Sequence, residues 1–136
     1  MTRYLLDSGP VGDLIFRRND IFNRVRTLTA EGHRIGSTPI VIGELWAGVE
    51  NSSSSERNIK IVNHNLSALT LWPLEARGAR EYGRIWAELK RIGRPMQQND
   101  IQIAAVAFSL PKCIVVSYDS DLKAVPGLKV ENWREP

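Results

Sequence analysis

Ile114-Val115-Val116-Ser117-Tyr118-Asp119-Ser120-Asp121 is the stretch that decides the fold. Three consecutive β-branched residues without polar alternation mark a strand covered on both faces, the kind found in parallel sheets. Behind it come two serines and two acids, so the strand ends in reactive side chains. At the N-terminus, Tyr4-Leu5-Leu6-Asp7 repeats the design: a short buried strand over residues 3–6, closed by an acid. Ser8 or Gly9 is then placed to cap a helix, and Pro10 suits its first turn.

Between these two strands the chain alternates. Ile21, Val25 and Leu28 predict a helix from Asp20 to about Ala30, ended by Gly32. Arg34-Ile35-Gly36 reads as a short strand. Thr38-Pro39 is a helix start, and the helix carries Ile40, Val41, Glu44, Leu45, Gly48 and Val49. Asn51 to Ser55 is a polar loop, followed by a helix from about Glu56 to Leu69 and a strand over Thr70–Leu74. Glu75 to about Arg91 is amphipathic, with Ala76, Ala79, Tyr82 or Gly83, Trp86 and Leu89 as its apolar stripe. The next helix opens at Gln98-Asn99-Asp100 and is apolar nearly all round. Asp119 to Leu122 turns into a short helix, and Leu128–Glu131 is a last strand. Strands alternating with helices give an α/β fold, a three-layer α/β/α arrangement around a mainly parallel sheet, expected as one domain over residues 1–136.

Composition bounds the function. With 43% hydrophobic and 24% charged residues the chain is of globular type. No apolar run is long enough to span a membrane. The lone Cys113 cannot form an internal disulfide, so a reducing cytoplasm is the expected setting. The net charge of +3 is mildly basic. It matters because acids gathered in one pocket leave the remaining surface more positive, an arrangement suited to a polyanionic partner.

Ligands of open parallel sheets bind beyond the carboxyl ends of the strands. Asp7 and Asp119 occupy that edge, and helix starts gather there too, bringing Glu44 and Asp100 toward the same crevice. Asp100 opens an otherwise apolar helix and needs a partner. Any one of the four serves equally well as a cap or a solvated charge. Crowded together they repel, and a hard divalent cation such as Mg²⁺ or Mn²⁺ is the simplest way to keep them ionised.

Four segments in register carry a resemblance. They are Leu5-Leu6-Asp7, Thr38-Pro39 with Gly43-Glu44-Leu45 and Gly48, Asn99-Asp100-Ile101 with Ile103-Ala104-Ala105, and Val115 to Asp121. Together they resemble a PIN domain of the VapC toxin group, over essentially the whole chain. The resemblance implies a PIN-like fold and a Mg²⁺- or Mn²⁺-dependent endoribonuclease that cuts tRNA or ribosomal RNA and is silenced by a VapB-type antitoxin. It implies a homodimer that meets DNA only through that antitoxin. Asp7, Glu44, Asp100 and Asp119 would be the catalytic and metal-binding acids. Asp121 would be an outer acid, and Ser117 would hydrogen-bond a water on the metal. Cleavage by water leaves 5′-phosphate and 3′-hydroxyl ends.

Members commonly follow the first Asp with Thr and Asn, where this chain has Ser8 and Gly9. Ser8 keeps the hydroxyl; Gly9 loses an amide that braces the pocket. That loss motivates an alternative, a catalytically weak domain acting mainly in an antitoxin–DNA complex. A phospho-acceptor receiver domain would need a pair of acids after its first strand, which is absent. Arg77, Arg80, Arg84 and Arg91 share one helix face and would contact RNA phosphates, unless Glu81 and Glu88 pair with them on an ordinary solvated face. Ile15, Phe16, Ile21 and Phe22 are expected to form a groove for an antitoxin helix. His33 and His64 lack neighbours at metal-ligand spacing, and Cys113 reads as a core thiol.

Overall fold

Five parallel strands form the sheet in the computed structural model, which describes residues 1–134. They are β1 (Arg3–Leu6), β2 (Arg34–Ser37), β3 (Thr70–Leu71), β4 (Cys113–Val116) and β5 (Val130–Glu131), in spatial order β3-β2-β1-β4-β5. Six helices flank it: α1 (Ser8–Ile15), α2 (Ile21–Ala30), α3 (Pro39–Glu50), α4 (Ser55–Asn65), α5 (Ala76–Arg91) and α6 (Gln98–Ser109). Two 3₁₀ turns, Leu66–Ala68 and Ser120–Ala124, complete the described chain.

The order places the functional crevice. From β1 the chain winds outward through β2 to β3, then crosses back to β4 on the other side of β1. Strand order therefore reverses between β1 and β4, the position where parallel sheets open a crevice beyond their strand ends. Leu6 pairs with Val116, and the Asp7 amide donates to the Val116 carbonyl at 2.9 Å, so Asp7 and Ser117 emerge side by side.

The core explains why these segments order. Leu5, Leu6, Val115 and Val116 are fully buried, and Ile101, Ile103, Ala104, Ala105, Val106 and Ala107 bury α6 on several sides. Each large aliphatic side chain so covered contributes about 1.5–3 kcal/mol.

Several local expectations need correction. Asp7, not Ser8 or Gly9, occupies the N-cap of α1 and accepts from the Ser8 amide at 2.8 Å. The third strand stops at Leu71; the Trp72 amide still donates to the Ser37 carbonyl, but Pro73 has no N–H to continue the ladder. The fourth helix ends at Asn65, and the last strand is only Val130–Glu131. On α5 the inward stripe is Gly78, Tyr82, Ile85 and Leu89, while Trp86 is 50% exposed. Gly78 lies on the face turned to α6: a Cβ there would be 3.9 Å from the Ala105 carbonyl, an ordinary contact distance. Of the four residues expected to line a groove on the first two helices, Ile15 and Ile21 are core residues, while Phe16 and Phe22 are partly exposed, with Arg17 over the Phe22 ring at 3.5 Å.

Candidate metal centre

Asp100, Asp119 and Asp121 each present a carboxylate oxygen, and these oxygens lie within 4.8 Å of one another. Each arrives by a different local device. Asp100 stands in the first turn of α6, where the helix dipole favours an anion. Asp119 caps the 3₁₀ turn after β4 and accepts from the Asp121 amide at 2.9 Å. Asp121 follows within that turn, its carboxylate held by Arg94 at 2.7 Å.

Asp7 stands behind this triad, at the end of β1 and largely buried. Its two oxygens are satisfied separately, Oδ1 by the Ser8 amide and Oδ2 by the Ser117 hydroxyl at 2.8 Å. The same Ser117 oxygen accepts from the Asp119 amide at 3.0 Å, linking the two strand-end acids through one buried hydroxyl. Ser117, expected to hydrogen-bond a metal-bound water, gives its proton to Asp7 and one lone pair to the Asp119 amide, leaving a second lone pair.

The electrostatics show the acids share one field. Burial and then the charges of Asp7, Asp119 and Asp121 hold the Asp100 carboxyl above its usual range. Burial, followed by Asp7 and Asp100, does the same to Glu44, which reaches the crevice from α3. Uncompensated repulsion among oxygen donors is relieved by a hard cation, and an all-carboxylate donor set is the kind that Mg²⁺, Mn²⁺ or Ca²⁺ accepts. The triad is able to bind a metal ion.

The basic residues expected to meet RNA, Arg77, Arg80, Arg84 and Arg91, are all exposed on α5. α5 and α6 form a hairpin with Leu89 near Ile101 at one end and Gly78 near the Ala105 carbonyl at the other. Arg77 and Arg80 therefore lie toward the end away from Asp100. Arg84 pairs with Glu81 at 2.8 Å and Glu88 at 3.1 Å, as a solvated face would have it. The arginine that reaches the acids is Arg94, in the loop after α5, which helical spacing had no means to single out.

A cleft of about 450 Å³ adjoins the acids and includes Ser8, Gly9, Glu44, Arg18 and Arg134 in its walls. Burial pushes the Cys113 thiol up to about 11, so it is protonated at neutral pH and inert as a nucleophile. His33 accepts the Thr2 amide on Nδ1, a structural role. No helix among the described residues is long and apolar enough to cross a membrane.

Comparison with known proteins agrees with this fold. A family profile described as PIN domain matches residues 4–128. The chain is 34% identical to Ribonuclease VapC2 of Haemophilus influenzae over 134 residues, 98% of this chain and 99% of that protein. It is 32% identical over 100 residues to the tRNA(fMet)-specific endonuclease VapC of Salmonella typhimurium, covering 74% of this chain and 76% of that one. Among solved structures, VapBC2 from Rickettsia felis bound to a DNA fragment from their promoter superposes with a TM-score of 0.87 at 28% identity, over 97% of this chain and 99% of the other. DNA-bound VapBC from Salmonella typhimurium gives 0.85 at 30% identity, over 98% and 99%.

Proposed function

The chain belongs to the PIN-domain family, in its VapC group, and on that footing we propose that it is a metal-dependent endoribonuclease toxin held in check by a cognate antitoxin. The observation that carries the reading is the convergence of Asp100, Asp119 and Asp121, with Asp7 and Glu44 facing them. Two curated relatives are named as tRNA(fMet)-specific endonucleases, which makes tRNA the first substrate to try. VapBC2 of Rickettsia felis has been solved on a fragment of promoter DNA and VapBC of Salmonella typhimurium on DNA; by analogy this chain meets DNA through a VapB-type partner. A homodimer acting in the cytoplasm, as the sequence reading expects, completes the proposal.

Mg²⁺ or Mn²⁺ would be held among Asp7, Glu44, Asp100, Asp119 and Asp121, of which Asp100, Asp119 and Asp121 already bring their oxygens together. Such an ion, when bound, supplies a water acidic enough to attack and a positive charge for the phosphodiester oxygens. The protein's own part is placement. Ser117 and the Ser8 amide fix Asp7 so that it cannot rotate out of the crevice. The Asp119 cap fixes the turn that carries Asp121. Arg94 neutralises part of the acidic charge, and Arg18 and Arg134 beside the cleft offer cations to an RNA strand. The reaction adds water across a phosphodiester and leaves 5′-phosphate and 3′-hydroxyl ends.

The test is cleavage of a tRNA pool by purified chain free of antitoxin across a Mn²⁺ titration, beside Asp7→Asn and Asp100→Asn. Metal-dependent cleavage lost in both variants supports the reading; full activity in either overturns it. A parent chain that joins an operator complex but cleaves no RNA would favour the catalytically weak alternative that Gly9 suggests.

A further inference from the structure

Gly9 is the second residue of α1, directly behind the acid that β1 delivers. A Cβ built there would lie 2.7 Å from Cδ2 and 3.2 Å from Cε2 of Tyr118. Gly9 is absent from the positive-φ residues, so its backbone does not demand glycine; the tyrosine ring does. That ring belongs to the residue between Ser117, which holds Asp7, and Asp119. Its hydroxyl donates to Asp13 Oδ2 at 2.7 Å. The Arg134 guanidinium lies 4.0 Å over the ring and donates to the same carboxylate oxygen at 3.1 Å.

Asp13 is the anchor. It is 1% exposed, and besides Tyr118 and Arg134 it accepts from Asn19 at 2.9 Å and pairs with Arg18 at 3.4 Å. A buried carboxylate so fully engaged is a fixed point, because moving it would strand several polar groups at once. Position 9 is thus a bare shelf that seats a ring, and α1 braces the far strand end from one turn further on.

We propose that Tyr118 is a positioning residue for the acid cluster: seated on Gly9 and tied to Asp13, it fixes the Ser117–Asp121 turn and so aims Asp119 and Asp121. The ring takes the space that a side chain at position 9 would fill. For its consequence on metal binding the proposal rests on the metal-centre reading above; the fixing of the turn does not.

The experiment compares the full chain with Gly9→Ala, Tyr118→Phe, Tyr118→Ala and the double variant Gly9→Ala/Tyr118→Ala. Tyr118→Phe keeps the packing and loses only the hydroxyl, so it folds even where larger changes fail. Backbone ¹⁵N order parameters of residues 117–121, measured without metal, should fall from about 0.85 toward 0.6 in Tyr118→Phe and Gly9→Ala. Mn²⁺ affinity by calorimetry should weaken about tenfold in both, although alanine is the better helix former. Adding Gly9→Ala to Tyr118→Ala should cost nothing further, because the obstructing ring is gone. Unchanged order parameters in Tyr118→Phe and Gly9→Ala would overturn the proposal, as would an equal cost of Gly9→Ala in the two backgrounds. A parent chain that takes no Mn²⁺ would sink the metal reading, and the metal-free order parameters would still decide this one.

Discussion

Ser117 donates its hydroxyl to Asp7 at 2.8 Å across a sequence separation of 110 residues. The contact follows from strand pairing: Leu6 lies opposite Val116, so the next residue of each strand leaves the sheet at the same point. One buried hydroxyl then serves two acids, holding Asp7 and receiving the Asp119 amide.

Ser117→Ala should therefore loosen both acids. Mn²⁺ affinity should fall about 10–100-fold, as when the support behind a ligand is removed. Loss of the buried hydrogen bonds should cost about 1–3 kcal/mol in urea unfolding. Intact Mn²⁺ affinity would show that Asp7 is oriented by the Ser8 amide alone.

Asp100→Asn separates charge repulsion from ligation. Removing one of the crowded carboxylates should leave the metal-free protein as stable as the parent or more so, because Glu44 and the other acids lose a repelling neighbour. The parent should gain melting temperature on adding Mn²⁺, and Asp100→Asn should not. Equal stabilisation of both by Mn²⁺ would place the ion elsewhere.

Asp13 gives a pH dependence with a definite sign. Burial by itself raises its carboxyl, but hydrogen bonds from Tyr118 and Asn19 and the charge of Arg134 outweigh it, and the net shift is below the ordinary 3.8. A folded pKa below the unfolded one contributes stability that is present above the unfolded value and lost as pH falls through the folded one. Chemical unfolding from pH 5 downward should show a decline below about pH 4 that is shallower in Asp13→Asn. Parallel curves for the two proteins would remove Asp13 as its source.

Arg94→Ala should tighten metal binding a few-fold, since Asp121 then loses its competing cation, while stability changes by about 0–1 kcal/mol because the pair is half exposed. RNA affinity should fall in the same variant if Arg94 also contacts phosphate. Calorimetry with Mn²⁺ and a nitrocellulose binding assay read the two effects separately, and weaker Mn²⁺ binding would contradict the first.

Gly36→Ala tests packing at the sheet edge. A Cβ at this position would run into the Thr70 carbonyl and lie 2.7 Å from the Trp72 ring, pushing β3 away from β2. Overpacking of this kind costs about 1–3 kcal/mol. Thermal unfolding should register it, with the acid cluster's Mn²⁺ affinity unchanged.

The strands and helices were legible because they rest on local patterning. Ile114 to Val116 is apolar without alternation, and the helices of residues 39–50 and 98–109 repeat at helical spacing. Residues near strand and helix ends could be placed at the carboxyl edge of the sheet by topology alone, which is why Asp7, Glu44, Asp100 and Asp119 were recognisable as candidates. The apolar stripe of α5 was read correctly at Tyr82 and Leu89 but misplaced at Ala76, Ala79 and Trp86, which satisfy a helical period as well as Gly78 and Ile85 do. Packing in the folded protein, which buries Ile85 and Leu89 and leaves Trp86 half exposed, breaks that tie.

What the sequence determined by itself was the α/β alternation, the parallel sheet and the acids at its edge, all consequences of periodicities a few residues long. The tertiary structure decided the rest: that Asp121 stands with Asp100 and Asp119, that Arg94 meets Asp121, and that the Tyr118 ring lies where a Cβ at position 9 would go. These relationships join residues far apart in the chain. They depend on strand register and helix approach, which no local pattern encodes.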